Sequence, residues 1–192
     1  MNPKHIIAIC GRKRSGKDTV ANFFISRGYT HMKIASKLKD ITQCLFGFTD
    51  DQIETDSKDE VDPCWGISPR KAMQFLGTEV MQYKIQELLP SVNRKFWITG
   101  LIRDILSTST PDTRIVISDL RFLHEYEELK KIKCPVHIIK VVRHGHFVKH
   151  PVSVHPSEME YTMIHEDILI HNDSTIEDLQ CKIKECTSIK VD

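Results

Sequence analysis

The chain has 192 residues, 40% hydrophobic and 28% charged, which fits one compact domain or one domain with an inserted lid and argues against disorder. Its 27 Lys and Arg against 26 Asp and Glu leave a formal net charge of +1, so nothing draws the whole molecule to nucleic acid or a membrane, and any anion site must be local. The cysteines at 10, 44, 64, 134, 181 and 186 form no Cys-x-x-Cys pair and read as reduced thiols of a soluble intracellular protein.

Ile6 to Cys10 is a continuous apolar run ended by Gly11, as expected of a strand buried on both faces, and is too short for a signal peptide or membrane span. Lys17 to Arg27 then reads as a helix stopped by Gly28. A strand over 30–34 and a helix over 36–46 follow. The polar, acidic stretch 48–67 reads as a mobile connection or short helix. Ser68-Pro69 opens a long helix, because Ser caps well and Pro suits the first helical position. Ala72, Met73, Leu76, Val80 and Tyr83 form its expected apolar stripe. A helix over 95–106, a strand over 114–118, a helix over 122–132 and a strand over 137–142 come next. Residues 143–161 are basic, His-rich and irregular. A last strand over 167–171 precedes a closing amphipathic helix over 174–185. Strands alternating with helices imply a mostly parallel sheet covered on both faces, an α/β three-layer sandwich in one domain over 1–192.

Gly11-Arg12-Lys13-Arg14-Ser15-Gly16-Lys17 matches Gly-x4-Gly-Lys between an expected strand and an expected helix, the context the motif requires. Glycines let backbone N–H groups curl around phosphate oxygens, and the helix N-terminus adds partial positive charge. Gly11, Arg14, Ser15, Gly16, Lys17, Asp18 and Thr19 are therefore the candidate nucleotide contacts, with Lys17 on the β- and γ-phosphates. Asp18 stands where Ser or Thr normally reaches Mg²⁺; a carboxylate is a good hard ligand, directly or through water.

On the long helix Arg70, Gln74 and Thr78 recur at steps of four, each advancing about 40° around the axis, so they share one stripe opposite the apolar one. Such a stripe is often only a solvated face. Here Arg suits a phosphate and Gln the edge of a base. Residues 115–118 form an apolar strand followed by Asp119 and Arg121. Asp119 can hold Mg²⁺ or its waters beside the phosphate loop, or cap the next helix.

These segments together resemble a known family. Gly-x4-Gly-Lys-Asp-Thr, Ile34-Ala35-Ser36-Lys37-Leu38-Lys39, Ser68-Pro69-Arg70 with Gln74, Leu76, Gly77, Thr78 and Glu79, Ile117 through Phe122, His155-Pro156-Ser157-Glu158 and Asn172-Asp173 look like the deoxynucleoside monophosphate kinases of large DNA viruses and bacteriophages. The resemblance spans nearly the whole chain. Lys37 and His124 depart from the family's usual Pro and Asn. It implies transfer of the ATP γ-phosphate to a deoxynucleoside monophosphate, with ATP and Mg²⁺ as cofactors and the cytoplasm (of the host, if viral) as location. Residues 36–110 would then form a helical monophosphate-binding region, with Lys39, Trp65, Arg70, Gln74, Thr78 and Glu158 as candidate acceptor contacts. Lys17, Asp18, Asp119, Arg121 and Arg143 are the candidate catalytic groups. The implied partners are small nucleotides; a homodimer could use the apolar face of the 95–106 helix.

The segment 143–161 is a candidate lid, in which Arg143 and Lys149 could reach the transferring group while closure excludes water. Its His144, His146, His150 and His155 lack the cysteine-paired spacing of structural zinc. Competing activities are a phosphomevalonate kinase, whose loop also reads Gly-Lys-Asp, a dephospho-coenzyme A kinase, and a P-loop module that binds nucleotide without transferring phosphate.

Overall fold

The computed structural model describes residues 1–144 and 159–188. By compactness the chain divides into two units, one of residues 1–33 with 101–192 and one of residues 34–100.

The first unit is built on a five-stranded sheet: β1 (His5–Cys10), β2 (Thr30–Met32), β3 (Arg114–Leu120), β4 (Val136–Val142) and β5 (Ile168–His171). The strand order is β2-β3-β1-β4-β5 and every neighbouring pair is parallel. β1 lies at the centre, which is why its six residues are all buried and read as unbroken apolar sequence. Helices α1 (Lys17–Ile25) and α7 (Ile176–Ser188) pack together on one face, where Val20, Phe24, Leu179 and Ile183 meet Ile7, Ile9, Val116 and Ile139. Side chains of the opposite pleat, Ile6, Ala8, Ile115, Ile117 and Ile138, are no more exposed, and Leu129 of α6 (Leu123–Leu129) is equally buried. Each buried Ile, Leu, Val or Phe side chain contributes about 1.5–3 kcal/mol.

The register of β1 against β3 slips near their carboxyl ends. Ala8 pairs with Ile117 but Cys10 pairs with Leu120, so Ser118 and Asp119 together oppose Ile9. An extra residue there re-aims the side chains beside it, a common device next to active sites. Cys10 is buried and its thiol is pushed up to about 11 by that burial, which leaves it inert. All six cysteines are free thiols.

The second unit is helical: α2 (Ser36–Phe46), α3 (Asp50–Glu54), a 3₁₀ turn over Asp56–Asp59, and α4 (Pro69–Gln74). Helix α3 begins on a reciprocal cap, in which Thr49 and Gln52 bond each other's backbone N–H. Phe48, Ile53 and Ala72 make its small core. α4 starts on the Ser68 cap with Pro69 at its first position, as expected. The long helix does not stay α-helical, however. From Phe75 to Tyr83 it winds as a π-helix, and a 3₁₀ turn over Lys84–Glu87 follows. Steps of four then no longer share a face, because the hydrogen bonds span five residues. The expected stripe is corrected accordingly: Tyr83 is exposed while Thr78 is buried. Close packing accompanies the widened turn, since a Cβ on Gly77 would stand 2.6 Å from Leu38 Cδ2. Trp97 Nε1 donates to the Gly77 carbonyl at 3.0 Å.

Helix α5 (Phe96–Thr108) runs from one unit into the other. Its apolar side chains Trp97, Ile98, Leu101 and Ile105 are buried within the chain.

Candidate active site

Strand β1 ends in the glycine loop. Gly11 has φ +146°, Arg14 +64° and Gly16 +102°, three left-handed residues that turn the chain back on itself before α1. Two of these glycines are also fixed by close approach. A Cβ on Gly11 would lie 2.3 Å from the Val141 carbonyl oxygen, and one on Gly16 would lie 2.4 Å from Asn172 Nδ2. Asn172 follows β5, is buried, and donates through Nδ2 to the Ser15 carbonyl at 2.9 Å. The loop is thereby held from the far end of the sheet.

Lys17 is the first residue of α1, and its ammonium donates to the carbonyls of Gly11 at 2.9 Å and Arg12 at 2.7 Å. It arches over the loop interior. Ser15 Oγ is buried there with no hydrogen-bond partner among the described residues, a polar atom suited to an incoming ligand oxygen. Asp18 is exposed in the first turn of α1, and Thr19 beside it is half-buried.

Asp119 emerges from the slipped register of β3, half-buried. Burial and Lys33 hold the His31 imidazole of β2 below the usual range, while Asp119 and Asp18 pull it the other way. His31 Nε2 lies 2.8 Å from Ser118 Oγ. Asp18, next to the phosphate-loop lysine, and Asp119 are hard oxygen donors of the kind Mg²⁺ accepts, an ion that takes one or two carboxylates and keeps several waters.

Behind Asp119 the turn into α6 is held by Glu125, whose Oε2 accepts from the backbone N–H of Arg121 at 2.9 Å and of Phe122 at 3.0 Å. Burial pushes this carboxyl up to about 8 against those two donors, with Asp119 adding to the rise. Arg121 and Arg143 are exposed, the latter just beyond β4. Of the candidate lid, residues 145–158 lie outside the described residues, Lys149, His146, His150, His155 and Glu158 among them.

The helical unit gathers most of the remaining candidates. Arg70 forms a two-point ion pair with Asp59, through Nε to Oδ1 and through Nη2 to Oδ2 at 3.1 Å. Lys39 Nζ donates to Glu54 Oε2 at 2.5 Å. Both cations thus hold carboxylates in the geometry they would offer a phosphate. Gln74 is half-buried at the end of α4, Thr78 is buried in the π-helix, and Trp65 is exposed, its indole N–H on the Phe46 carbonyl at 2.8 Å.

Three residues gain an importance that the sequence analysis did not give them. Asn172 was legible only as part of a resemblance, with no role. His31 sits in a short, half-polar strand without a motif. Glu125 did carry a signal, an acid in the first turn of a helix.

A parallel sheet whose central strand enters a left-handed glycine loop, with a lysine opening the next helix over it, defines the P-loop kinase class. Two solved structures share the fold: the dephospho-CoA kinase from Campylobacter jejuni (TM-score 0.52, 13% identity, 97% of this chain and 96% of that one) and TT1252 from Thermus thermophilus (0.55, 17%, all of both chains). The profile of the deoxynucleotide monophosphate kinases matches residues 42–183. A protein of Acanthamoeba polyphaga mimivirus named for that activity is 31% identical over 189 residues, 94% of this chain and 95% of the relative. The chain belongs to the deoxynucleotide monophosphate kinase family, and is an ATP-dependent phosphotransferase. No described helix is long and apolar enough to cross a membrane.

Proposed function

We propose that this chain transfers the γ-phosphate of ATP to a deoxynucleoside monophosphate, giving the diphosphate, with Lys17 and the 11–19 loop as the ATP cradle. The observation that carries the assignment of the loop is Lys17 itself. Its ammonium is aimed at the loop carbonyls of Gly11 and Arg12, and phosphate oxygens are stronger, charged acceptors in the same place. Gly11, Arg14, Ser15, Gly16 and Thr19 supply the rest of the cradle, with the α1 N-terminus behind them.

Asp18 and Asp119 would hold Mg²⁺, which supplies charge neutralisation at the phosphates. Phosphoryl transfer needs positioning and charge more than a covalent nucleophile. Arg121 and Arg143 can add positive charge to the transferring group. On the acceptor side, Arg70 and Lys39 would exchange Asp59 and Glu54 for the monophosphate, Gln74 and Thr78 offer hydrogen bonds, and Trp65 a stacking face. Glu158 belongs to the same proposal through the family resemblance alone.

The test is turnover with ATP and Mg²⁺ against a panel of deoxynucleoside monophosphates, ribonucleoside monophosphates and phosphomevalonate. Formation of a deoxynucleoside diphosphate supports the proposal. ATP binding with no deoxynucleotide phosphorylated would sink it.

A further inference from the structure

The carboxyl ends of β4 and β5 carry a second cluster that phosphoryl transfer does not use. His144 lies just past β4; His171 ends β5, and Asp173 follows two residues later. Their ligand atoms all lie within 4.8 Å of one another, and all three residues are exposed. The Asp173 carboxylate grips His144 at two points, accepting from its backbone N–H at 2.7 Å and facing its Nδ1 at 2.9 Å. The two imidazoles stack with centroids 5.2 Å apart and planes 14° from parallel.

We propose that His144, His171 and Asp173 form a binding site for one divalent ion of the zinc class, separate from the Mg²⁺ site at the phosphate loop. Two imidazoles and one carboxylate, with a position left open to water, are a donor set such ions favour. Local charge sharpens the choice. Lys182 donates to the His171 carbonyl at 3.1 Å and pairs with Asp178, which sets an ammonium beside the cluster. A lone carboxylate beside an ammonium is a poor site for Mg²⁺ or Ca²⁺, which want shells of oxygen. Imidazole donors overcome that deficit only for softer ions. Of the His-rich stretch noted in the sequence, His144 alone enters the cluster among the described residues; its partners come from the adjacent strand and the turn after it.

The site also touches the kinase machinery through the backbone. Its two ligands at 171 and 173 flank Asn172, whose side chain holds the Ser15 carbonyl of the phosphate loop. An ion here stiffens the segment from which the loop is clamped.

The experiment titrates the full, metal-free chain with Co²⁺, read by its visible ligand-field bands, then displaces it with Zn²⁺. One equivalent should bind. Disturbing outer partners of a metal site alone costs about 10–100-fold in affinity, so His171→Ala and Asp173→Asn should each weaken binding by at least about tenfold. Because both positions are exposed, circular dichroism and urea unfolding should show an unchanged fold. A chain with His146, His150 and His155 all changed to Gln should bind Co²⁺ as the parent does. The proposal is overturned if that triple variant loses the ion, if His171→Ala binds as well as the parent, or if a thiolate-to-cobalt charge-transfer band places a cysteine in the shell.

Discussion

The clamp between Asn172 and the phosphate loop can be measured by a four-protein cycle of parent, Gly16→Ala, Asn172→Ala and the double variant. Gly16 has φ +102°, and the methyl group of an alanine there would meet Asn172 Nδ2 at 2.4 Å. An alanine at that φ costs about 1–3 kcal/mol in backbone strain. The clash adds about 1–3 kcal/mol as overpacking. Asn172→Ala removes the 2.9 Å bond to the Ser15 carbonyl, and a buried acceptor left unsatisfied costs about 1–3 kcal/mol.

In the double variant the clashing atom is gone, so only the strain and the lost hydrogen bond remain. The destabilisation should therefore fall short of the sum of the single variants by about 1–3 kcal/mol. Urea unfolding at fixed pH, with unchanged m values, supplies the four free energies. An ADP titration of each protein reports on the loop itself, and Asn172→Ala should weaken ADP binding. Additivity to within about 0.5 kcal/mol would mean that Gly16 and Asn172 do not meet, and would refute the clamp.

Lys17→Ala should abolish transfer while leaving the fold intact, and near-normal kcat in a correctly folded variant would remove Lys17 from the mechanism. Asp59→Asn frees the Arg70 fork, and because exposed ion pairs are worth about 0.2–1 kcal/mol, the acceptor KM should fall roughly 1.4- to 5-fold while Arg70→Ala raises it. An unchanged acceptor KM in both would take Arg70 out of the acceptor site. Glu125 is held protonated in the fold up to about 8, above the ordinary 4.5, so the stability it lends is complete below about pH 4.5 and is lost as pH rises toward 8. Glu125→Gln keeps an oxygen for the Arg121 and Phe122 N–H groups and cannot ionise; the parent-minus-variant stability should decline between about pH 5 and 8, and a flat difference refutes the buried, neutral carboxyl.

Local patterns carried most of the sheet. An apolar run bounded by glycine could only be a strand buried on both faces, and β1 is one. Gly28, at φ +82°, stops the first helix as its sequence promised, though regular winding ends at Ile25. Ser68-Pro69 opened a helix for reasons confined to four residues. The failure came one turn later. Nothing local in Phe75 to Tyr83 distinguishes a π-helix from an α-helix, because the widened turn goes with contacts to Leu38 and Trp97. The projection that put Arg70, Gln74 and Thr78 on one stripe assumed a constant period.

The site divides along the same line. Gly11, Gly16 and Lys17 were legible as a candidate phosphate loop because the segment is contiguous, and the chemistry proposed for it is written in adjacent residues. Asp119 stood out as an acid at the end of a buried strand, where holding a metal and capping the next helix were both open readings. Asn172 was not, since its bond to Ser15 spans 157 residues of sequence. The same separation hides the His144–Asp173 pair, 29 residues apart, which the topology joins by laying β4 against β5. In a parallel sheet every strand delivers its carboxyl end to one edge, whatever its place in the chain. That edge therefore collects both what a motif announces, the phosphate loop after β1, and what no motif announces, its clamp and the histidine cluster after β4 and β5. If the cluster binds its ion, two sites of different chemistry are coupled through Asn172.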